Sequence, residues 1–445
     1  MLLTVTMVVP FIGPVSAFDV MTRYTPASLG ACTSIVAPDQ RKPGVVRCGF
    51  YASEDAFVDN LIPTKRFGEV MSYVLIVQDT PTVPRSENYA YLKFDLSSLP
   101  SLLPETLVEA NVVPSNVTLW AYTRYVSLFY NSTIEVHRAL TNNWNESTLT
   151  WNNKPAFEKT AYDLQRVTAN GTWVTWNVTQ DFSSGLRQRN EVTYMLKASE
   201  THWKNIAWFD AKDEPQHSNM STRPELDFDF EMPVLTIDSQ YANLPVTIEQ
   251  QTILASYLPT VERQTYGTDA NGTFKAIVPW GTYAISVPEV IPLSNVTKAV
   301  FVGWNDNVRE ASRTITISKN TRLHAAYRTQ YDLSVSSPYG STSGSGWYFE
   351  GTNASFSVNP DTVPAEGMAG VLGVRHIFDH WTLTCTAFES KCVVIMDSSK
   401  SATAVWRDDY TMTIALSAAI LAIAFAAIML ALRARRKSVP QESKS

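Results

Sequence analysis

The sequence predicts an all-β protein tethered by one C-terminal transmembrane helix. Three patterns predict it. Between Cys48 and about Met232, apolar residues alternate with polar ones at period two, as in Leu226, Phe228 and Phe230 set between Glu225, Asp227 and Asp229. Strand-sized runs are divided by Asn, Gly, Pro and Ser clusters, with no amphipathic helix among them, which implies a two-sheet sandwich. The third pattern is the uncharged apolar stretch over residues 411–432. Its 22 residues suffice to cross roughly 30 Å of hydrocarbon.

The ends set the topology. Arg433, Arg435, Arg436 and Lys437 follow the apolar stretch directly, and a basic cluster there stays on the cytoplasmic side. Residues 433–445 are thus a cytoplasmic basic tail, and everything before the span is extracellular. Residues 1–17 are apolar and end in Val15-Ser16-Ala17, the pattern of a signal peptide, although the basic n-region is missing. The segment is either cleaved or kept as a second anchor. The chain's formal net charge is −6 over 445 residues, and the tail's surplus of basic residues leaves the rest more acidic still. A mildly acidic ectodomain speaks against nucleic acid as a partner.

The four cysteines form two sequence-local pairs, Cys32 with Cys48 and Cys385 with Cys392, and two disulfides are expected outside the cell. Nine N-x-S/T sequons begin at Asn116, Asn131, Asn145, Asn170, Asn177, Asn219, Asn271, Asn295 and Asn353. All nine precede the span, in agreement with a glycosylated exterior.

Strand candidates between residues 48 and 232 include 90–96, 117–123, 133–140, 173–179, 194–199 and 205–210. After an N-terminal segment (18–47) and this sandwich (48–232), the sequence repeats itself. Phe301 and Trp304 precede Tyr327, Arg328 and Tyr331, and Phe378 and Trp381 precede Trp406, Arg407 and Tyr410. The near-constant offset predicts two small β modules in tandem, 233–331 and 332–410, standing as spacers between the sandwich and the membrane.

Nucleophile elbows, HExxH and phosphate loops are absent from the sequence. A polysaccharide lyase or hydrolase with a carboxylate pair or a Tyr/His/Arg group would leave no local motif and stays open. His376 and His380 lie on a strand-like stretch, where a spacing of four does not bring two ligands together. Asp210, Asp213, Glu214 and His217 make an acidic loop suited to Ca²⁺, or simply a solvated turn. Of twelve tryptophans, seven lie between Trp120 and Trp208 inclusive. Sugar rings pack C–H faces on aromatic planes while polar groups hydrogen-bond their hydroxyls. Trp203, in the polar stretch Glu200-Thr201-His202-Trp203-Lys204-Asn205, is the first candidate for such a contact, with Trp144, Tyr122 and Arg138 beside it.

The run Asp55-Ala56-Phe57-Val58-Asp59, then Ala90 to Pro100, Val117 to Trp120, Val136-His137-Arg138, Trp144-Asn145-Glu146-Ser147-Thr148-Leu149-Thr150-Trp151-Asn152-Asn153-Lys154-Pro155 and Arg223-Pro224-Glu225-Leu226 resembles the DNRLRE domain. That domain is also classified as carbohydrate-binding module family 96 and is related to disaggregatase repeats. The resemblance implies a jelly-roll β-sandwich and binding of polysaccharide, with uronic-acid-rich polymers such as alginate known for some members. Family members often carry Ser-Arg-Glu before the last strand, where this chain has Ala211-Lys212-Asp213. The tandem modules resemble small immunoglobulin-like repeats of archaeal surface proteins through Gly340, Gly344, Gly346-Trp347-Tyr348 and the Phe-x-x-Trp blocks.

The expected function is a non-catalytic, membrane-anchored surface protein that holds extracellular polysaccharide. The alternatives are a structural envelope or adhesion protein with envelope protein partners, and the lyase or hydrolase. No cofactor is expected beyond the candidate Ca²⁺.

Overall fold

The computed structural model describes residues 31–35, 44–69, 71, 73–109, 111–127, 132–186, 189–213, 222–255, 258, 260–383 and 389–437. The chain is all-β apart from short helical turns and one long C-terminal helix, as its sequence predicts. Twelve strands build the N-terminal part: β1 (Ala31–Ile35), β2 (Val45–Tyr51), β3 (Glu54–Asp59), β4 (Val74–Thr80), β5 (Ser86–Asp95), β6 (Asn116–Val126), β7 (Ser132–Arg138), β8 (Asp163–Val167), β9 (Thr172–Asn177), β10 (Glu191–Ala198), β11 (Ile206–Asp210) and β12 (Glu225–Glu231). They run in the order β1-β2-β12-β6-β11-β4-β5-β10-β7-β8, with β3 added to β5 and β9 added to β6.

The two halves of this sheet face one core. Val46, Cys48 and Phe50 of β2, Leu226, Phe228 and Phe230 of β12, and Val117, Leu119 and Ala121 of β6 meet Leu92 and Phe94 of β5 and Tyr194 and Leu196 of β10. Period-two spacing puts each set on one side of its strand. Phe228 lies edge-on to Phe50 at 5.9 Å and to Phe182 at 4.9 Å between ring centroids. The Cys32–Cys48 disulfide joins β1 to β2. Cys392 is also disulfide-bonded, while Cys385 lies outside the described residues.

One expectation fails on β12. Its alternation suggests acids facing water, yet Glu225, Asp227 and Asp229 are buried, as are Leu226, Phe228 and Phe230 on the core side. The strand is central, between β2 and β6, and the Arg47 side chain of β2 reaches across its acid side to Asp227 and Asp229. Asp229 takes hydrogen bonds from Arg47 Nε and Nη2 at 2.7 and 2.9 Å, which supplies the pairing a buried carboxylate requires.

The second half of the sandwich has a cover of its own. Residues 139–158 lie over the outer face of β3, β5 and β10, where Trp144, Leu149, Trp151 and Phe157 pack on Val58, Tyr91 and Met195. Asn145 and Asn153 hold this loop by accepting from the backbone N–H of Ser147 (2.9 Å) and Thr150 (2.6 Å). Gly68 lets the neighbouring loop approach it, since a Cβ there would stand 2.4 Å from the carbonyl oxygen of Glu146.

Beyond the sandwich, one core gathers residues from Leu235 to Tyr327 and another those from Leu333 to Ala404. The strand Thr321–Ser336 passes through both, crossing the expected boundary at 331/332. Arg375–Trp381 is a strand, so His376 and His380 do not share a helical face; His376 pairs instead with Asp408 at 2.7 Å. The helix Thr411–Lys437 is long and apolar enough to cross a membrane, and its span packs against little of the protein.

The packing around Phe228 gives a first prediction. Phe228→Ala leaves a cavity between β2, β12 and Phe182, and urea unfolding should show a loss of ~3–5 kcal/mol. A loss under ~1 kcal/mol would mean that the two halves do not share this core.

Candidate functional site

The strand β6 carries aromatic residues on the side away from the core. Trp120 and Tyr122 project outward between the core residues Leu119, Ala121 and Thr123, and both are half-buried. Antiparallel pairing sets Trp173 of β9 opposite Tyr122. The Trp173 ring lies 5.2 Å from that of Tyr122 and 6.4 Å from that of Trp120, both edge to face.

Past Thr123, β6 exchanges one neighbour for another, from β12 to β11, through a register shift. Phe209 pairs with Thr123 and Trp208 with Tyr125, so Arg124 has no opposite residue. Such a bulge breaks the in-out alternation and turns two consecutive side chains to one face. Arg124 and Tyr125 accordingly both reach the outer surface. Arg124 Nε donates to Asp210 Oδ1 at 2.7 Å, and its guanidinium lies 5.7 Å from the Tyr73 ring. Tyr125 is 41% exposed and Trp208 36% exposed, with ring centroids 5.3 Å apart. The outer face thus presents a strip running from Trp120, Tyr122 and Trp173, past the Arg124–Asp210 pair and Tyr73, to Tyr125 and Trp208. Flat apolar surface beside a fixed charged pair suits the mixed apolar and hydroxyl character of a sugar ring.

Of the residues expected to contact sugar, Tyr122 belongs to this strip. Trp203 stands on the turn between β10 and β11, 66% exposed, outside the paired strands. Trp144 is buried beneath the outer sheet face: its Nε1 donates to Thr193 Oγ1 at 3.0 Å and its ring carries Lys93 Nζ at 4.9 Å, so it has no face for a ligand. Arg138 is bound to Asp181, which also accepts from Arg189 (2.8 Å) and the Tyr194 hydroxyl (2.9 Å) inside the sandwich.

The acidic loop does not come together as a cation site. Asp210 is held by Arg124, Asp213 is paired with Lys212 at 3.0 Å, and Glu214 and His217 lie outside the described residues. Among the described residues no three His, Cys, Asp or Glu side chains are placed to hold a metal ion. Of the sequon asparagines, Asn131 and Asn219 lie outside the described residues, Asn116 is half-buried, and Asn145, Asn170, Asn177, Asn271, Asn295 and Asn353 are exposed.

Trp208, Tyr125 and Trp173 escape sequence reasoning because their facing depends on the bulge at Arg124 and on the register of β9, neither of which leaves a local signal.

With this geometry in view, comparison with known families gives one match. Residues 47–221 match carbohydrate-binding module family 96. The matched segment runs from β2 to just before β12 and contains the whole aromatic strip. No curated protein matches the chain. Among solved structures, BcpA, the major pilin subunit of Bacillus cereus, is 10% identical, with 66% of this chain and 81% of that one covered and a TM-score of 0.15. The Bacillus anthracis TIE protein is 6% identical, covering 80% and 58%, with a TM-score of 0.19. A bacterial adhesin from Mobiluncus mulieris is 12% identical, covering 63% and 99%, with a TM-score of 0.18. Scores this low carry no argument about architecture or activity.

Close to the acidic loop, burial pushes the Asp55 carboxyl up to about 8, against the backbone N–H of Lys212 that it accepts at 2.6 Å. The unfolded carboxyl titrates near ~3.9. Folded Asp55 therefore keeps its proton where the unfolded chain has released it. The stabilisation is complete below pH ~4 and is lost as pH rises toward about 8. Melting temperatures across that window should fall for the native protein and stay flatter for Asp55→Asn. Equal slopes would show that Asp55 does not titrate there.

Proposed function

We propose that this chain is a non-catalytic surface protein whose family 96 segment binds extracellular polysaccharide on the outer face of β6, β9 and β11. The observation that carries the reading is the aromatic strip from Trp120 to Trp208, which falls within the matched segment. Aromatic rings on this face can pack on the C–H face of a sugar ring, while Arg124, half-buried and fixed by Asp210, offers a guanidinium donor to its hydroxyls. Non-catalytic binding is supported by the locked state of that carboxylate: Asp210 is buried and bonded to Arg124, not poised to transfer a proton. The helix Thr411–Lys437 supports placement at a membrane, with the sandwich on the extracellular side and the basic tail inside.

The test is binding of the full-length protein in detergent to a panel of polysaccharides that includes alginate and other acidic polymers. Trp208→Ala and Tyr125→Ala should each weaken binding about tenfold or more, the loss of ~1.4 kcal/mol or more typical of a central aromatic contact. Trp203→Ala should leave it nearly unchanged. If Trp203→Ala abolishes binding and Trp208→Ala does not, the site lies on the β10–β11 turn. Failure to bind any polymer would favour a structural envelope role.

A further inference from the structure

The loop before the strand Arg375–Trp381 has an unusual surface. Residues 367–374, Gly-Met-Ala-Gly-Val-Leu-Gly-Val, carry no charge and lie between Glu366 and Arg375. Three of them are large, apolar and open to solvent: Met368 is 74% exposed, Val371 79% and Leu372 53%. Isolated apolar residues on a surface need no explanation, but three on one short tip form a patch.

The loop is joined to the long C-terminal helix. Thr413 Oγ1 donates to the Leu372 carbonyl at 2.9 Å. Gly373, at φ +88°, is packed so closely that a Cβ there would stand 3.1 Å from Met412 Cβ and 3.8 Å from Leu416 Cδ1. Leu416 is five residues into a helix that begins at Thr411, roughly 7.5 Å along its axis at 1.5 Å per residue. The exposed patch is therefore continuous with the first turns of the apolar helix surface.

The C-terminal half of the loop pairs its own backbone. Gly367–Val371 forms a helical turn, and the N–H groups of Leu372, Gly373 and Val374 donate to the carbonyls of Met368, Gly370 and Ala369, each at 3.0 Å. Internal pairing of this kind is what a backbone needs where water is scarce. Just outside the loop the character changes, with His376 bonded to Asp408 and the Tyr410 hydroxyl donating to the same carboxylate at 3.2 Å. Tyrosine and charged groups in that position suit the headgroup layer.

We infer that residues 367–374 dip into the outer leaflet beside the C-terminal helix and form a second, interfacial membrane contact. The lipid bilayer is the partner, through its headgroup and upper acyl region, at the depth of about 5–10 Å reached by interfacial apolar segments. This inference rests on the membrane-tethered reading of the helix. A single helix allows the ectodomain to tilt on its base; a second contact at a set depth beside it opposes that tilt and holds the last module upright.

The test uses the full-length protein in phosphatidylcholine vesicles, with an environment-sensitive fluorophore on a single introduced cysteine and nitroxide lipids as quenchers. Val371→Cys reports the loop, Leu421→Cys the helix, and Leu140→Cys, exposed on the sandwich, serves as control. The loop probe should lose most of its fluorescence to a nitroxide near the headgroups, the helix probe to one deep in the acyl chains, and the control to neither. Quenching of the helix probe with a loop probe that behaves like the control would overturn the inference and leave the tether intact. If neither probe is quenched, the tether itself is wrong and the loop contact falls with it.

Discussion

The register of β6 is the constraint on which the rest of the sandwich depends. This strand bonds to β12 and β11 along one edge and to β9 along the other, so it positions three neighbours at once. Its inward residues Val117, Leu119 and Ala121 fill the core, and its outward residues Trp120 and Tyr122 begin the aromatic strip. A slip of one residue would exchange the two sets. Burial of the aliphatic set therefore also fixes the aromatic display. Where β6 passes from β12 to β11, the bulge at Arg124 alters the alternation once, and that irregularity brings Tyr125 and Trp208 to the surface that Trp120 and Tyr122 already occupy.

The two outer faces of the sandwich have different fates. Over β3, β5 and β10 the loop 139–158 acts as a lid that is part of the structure, and its tryptophans are consumed in packing. Lys93 is sealed beneath it, held by the Trp144 carbonyl and by Glu54 at 3.4 Å, with the Trp144 ring alongside. A cation so enclosed by an acid, a carbonyl and an aromatic ring is satisfied and not available to a ligand. Lys154 caps Trp151 at 3.7 Å in a similar way. The β6–β9–β11 face has no such lid among the described residues, and there the rings of Tyr125 and Trp208 meet solvent.

This division explains what could be read from the sequence. The alternation in β5, β6, β10 and β12 is strong because one side of each strand lies in a single core, so class and strand positions are legible. The apolar C-terminal stretch is legible because it has no charge to interrupt it. The block from Trp144 to Pro155 carries the family resemblance, yet it invites the wrong role for Trp144, since a tryptophan amid Asn, Glu, Ser and Thr looks exposed. Those polar residues cap the loop's own turns and leave the ring to face the sheet. On β12 the same rule misleads in the opposite direction: Glu225, Asp227 and Asp229 alternate like surface acids but lie between two strands with Arg47 reaching over them. Periodicity reports which side of a strand a residue occupies, and only the neighbouring strands decide whether that side is open.

From sandwich to helix the chain has few places to bend. Leu258 and Trp280, which follow the sandwich in sequence, are buried in the sandwich's own core, so the first module is docked on it. The 16-residue strand Thr321–Ser336 then serves two cores, pairing with Thr297–Trp304 in its first part and with Lys400–Asp409 in its last. A strand of that length spans roughly 50 Å at about 3.3 Å per residue and cannot fold between the two without breaking its ladders. Lys400–Asp409 leads through Tyr410 alone into the helix at Thr411. The junctions between the sandwich and the last strand are thus made of buried side chains or continuous hydrogen bonding, and only the step through Tyr410, half exposed, is not. Loads applied to the sandwich therefore pass through strand ladders as far as Lys400–Asp409, and any freedom of the ectodomain relative to the helix is concentrated at Tyr410.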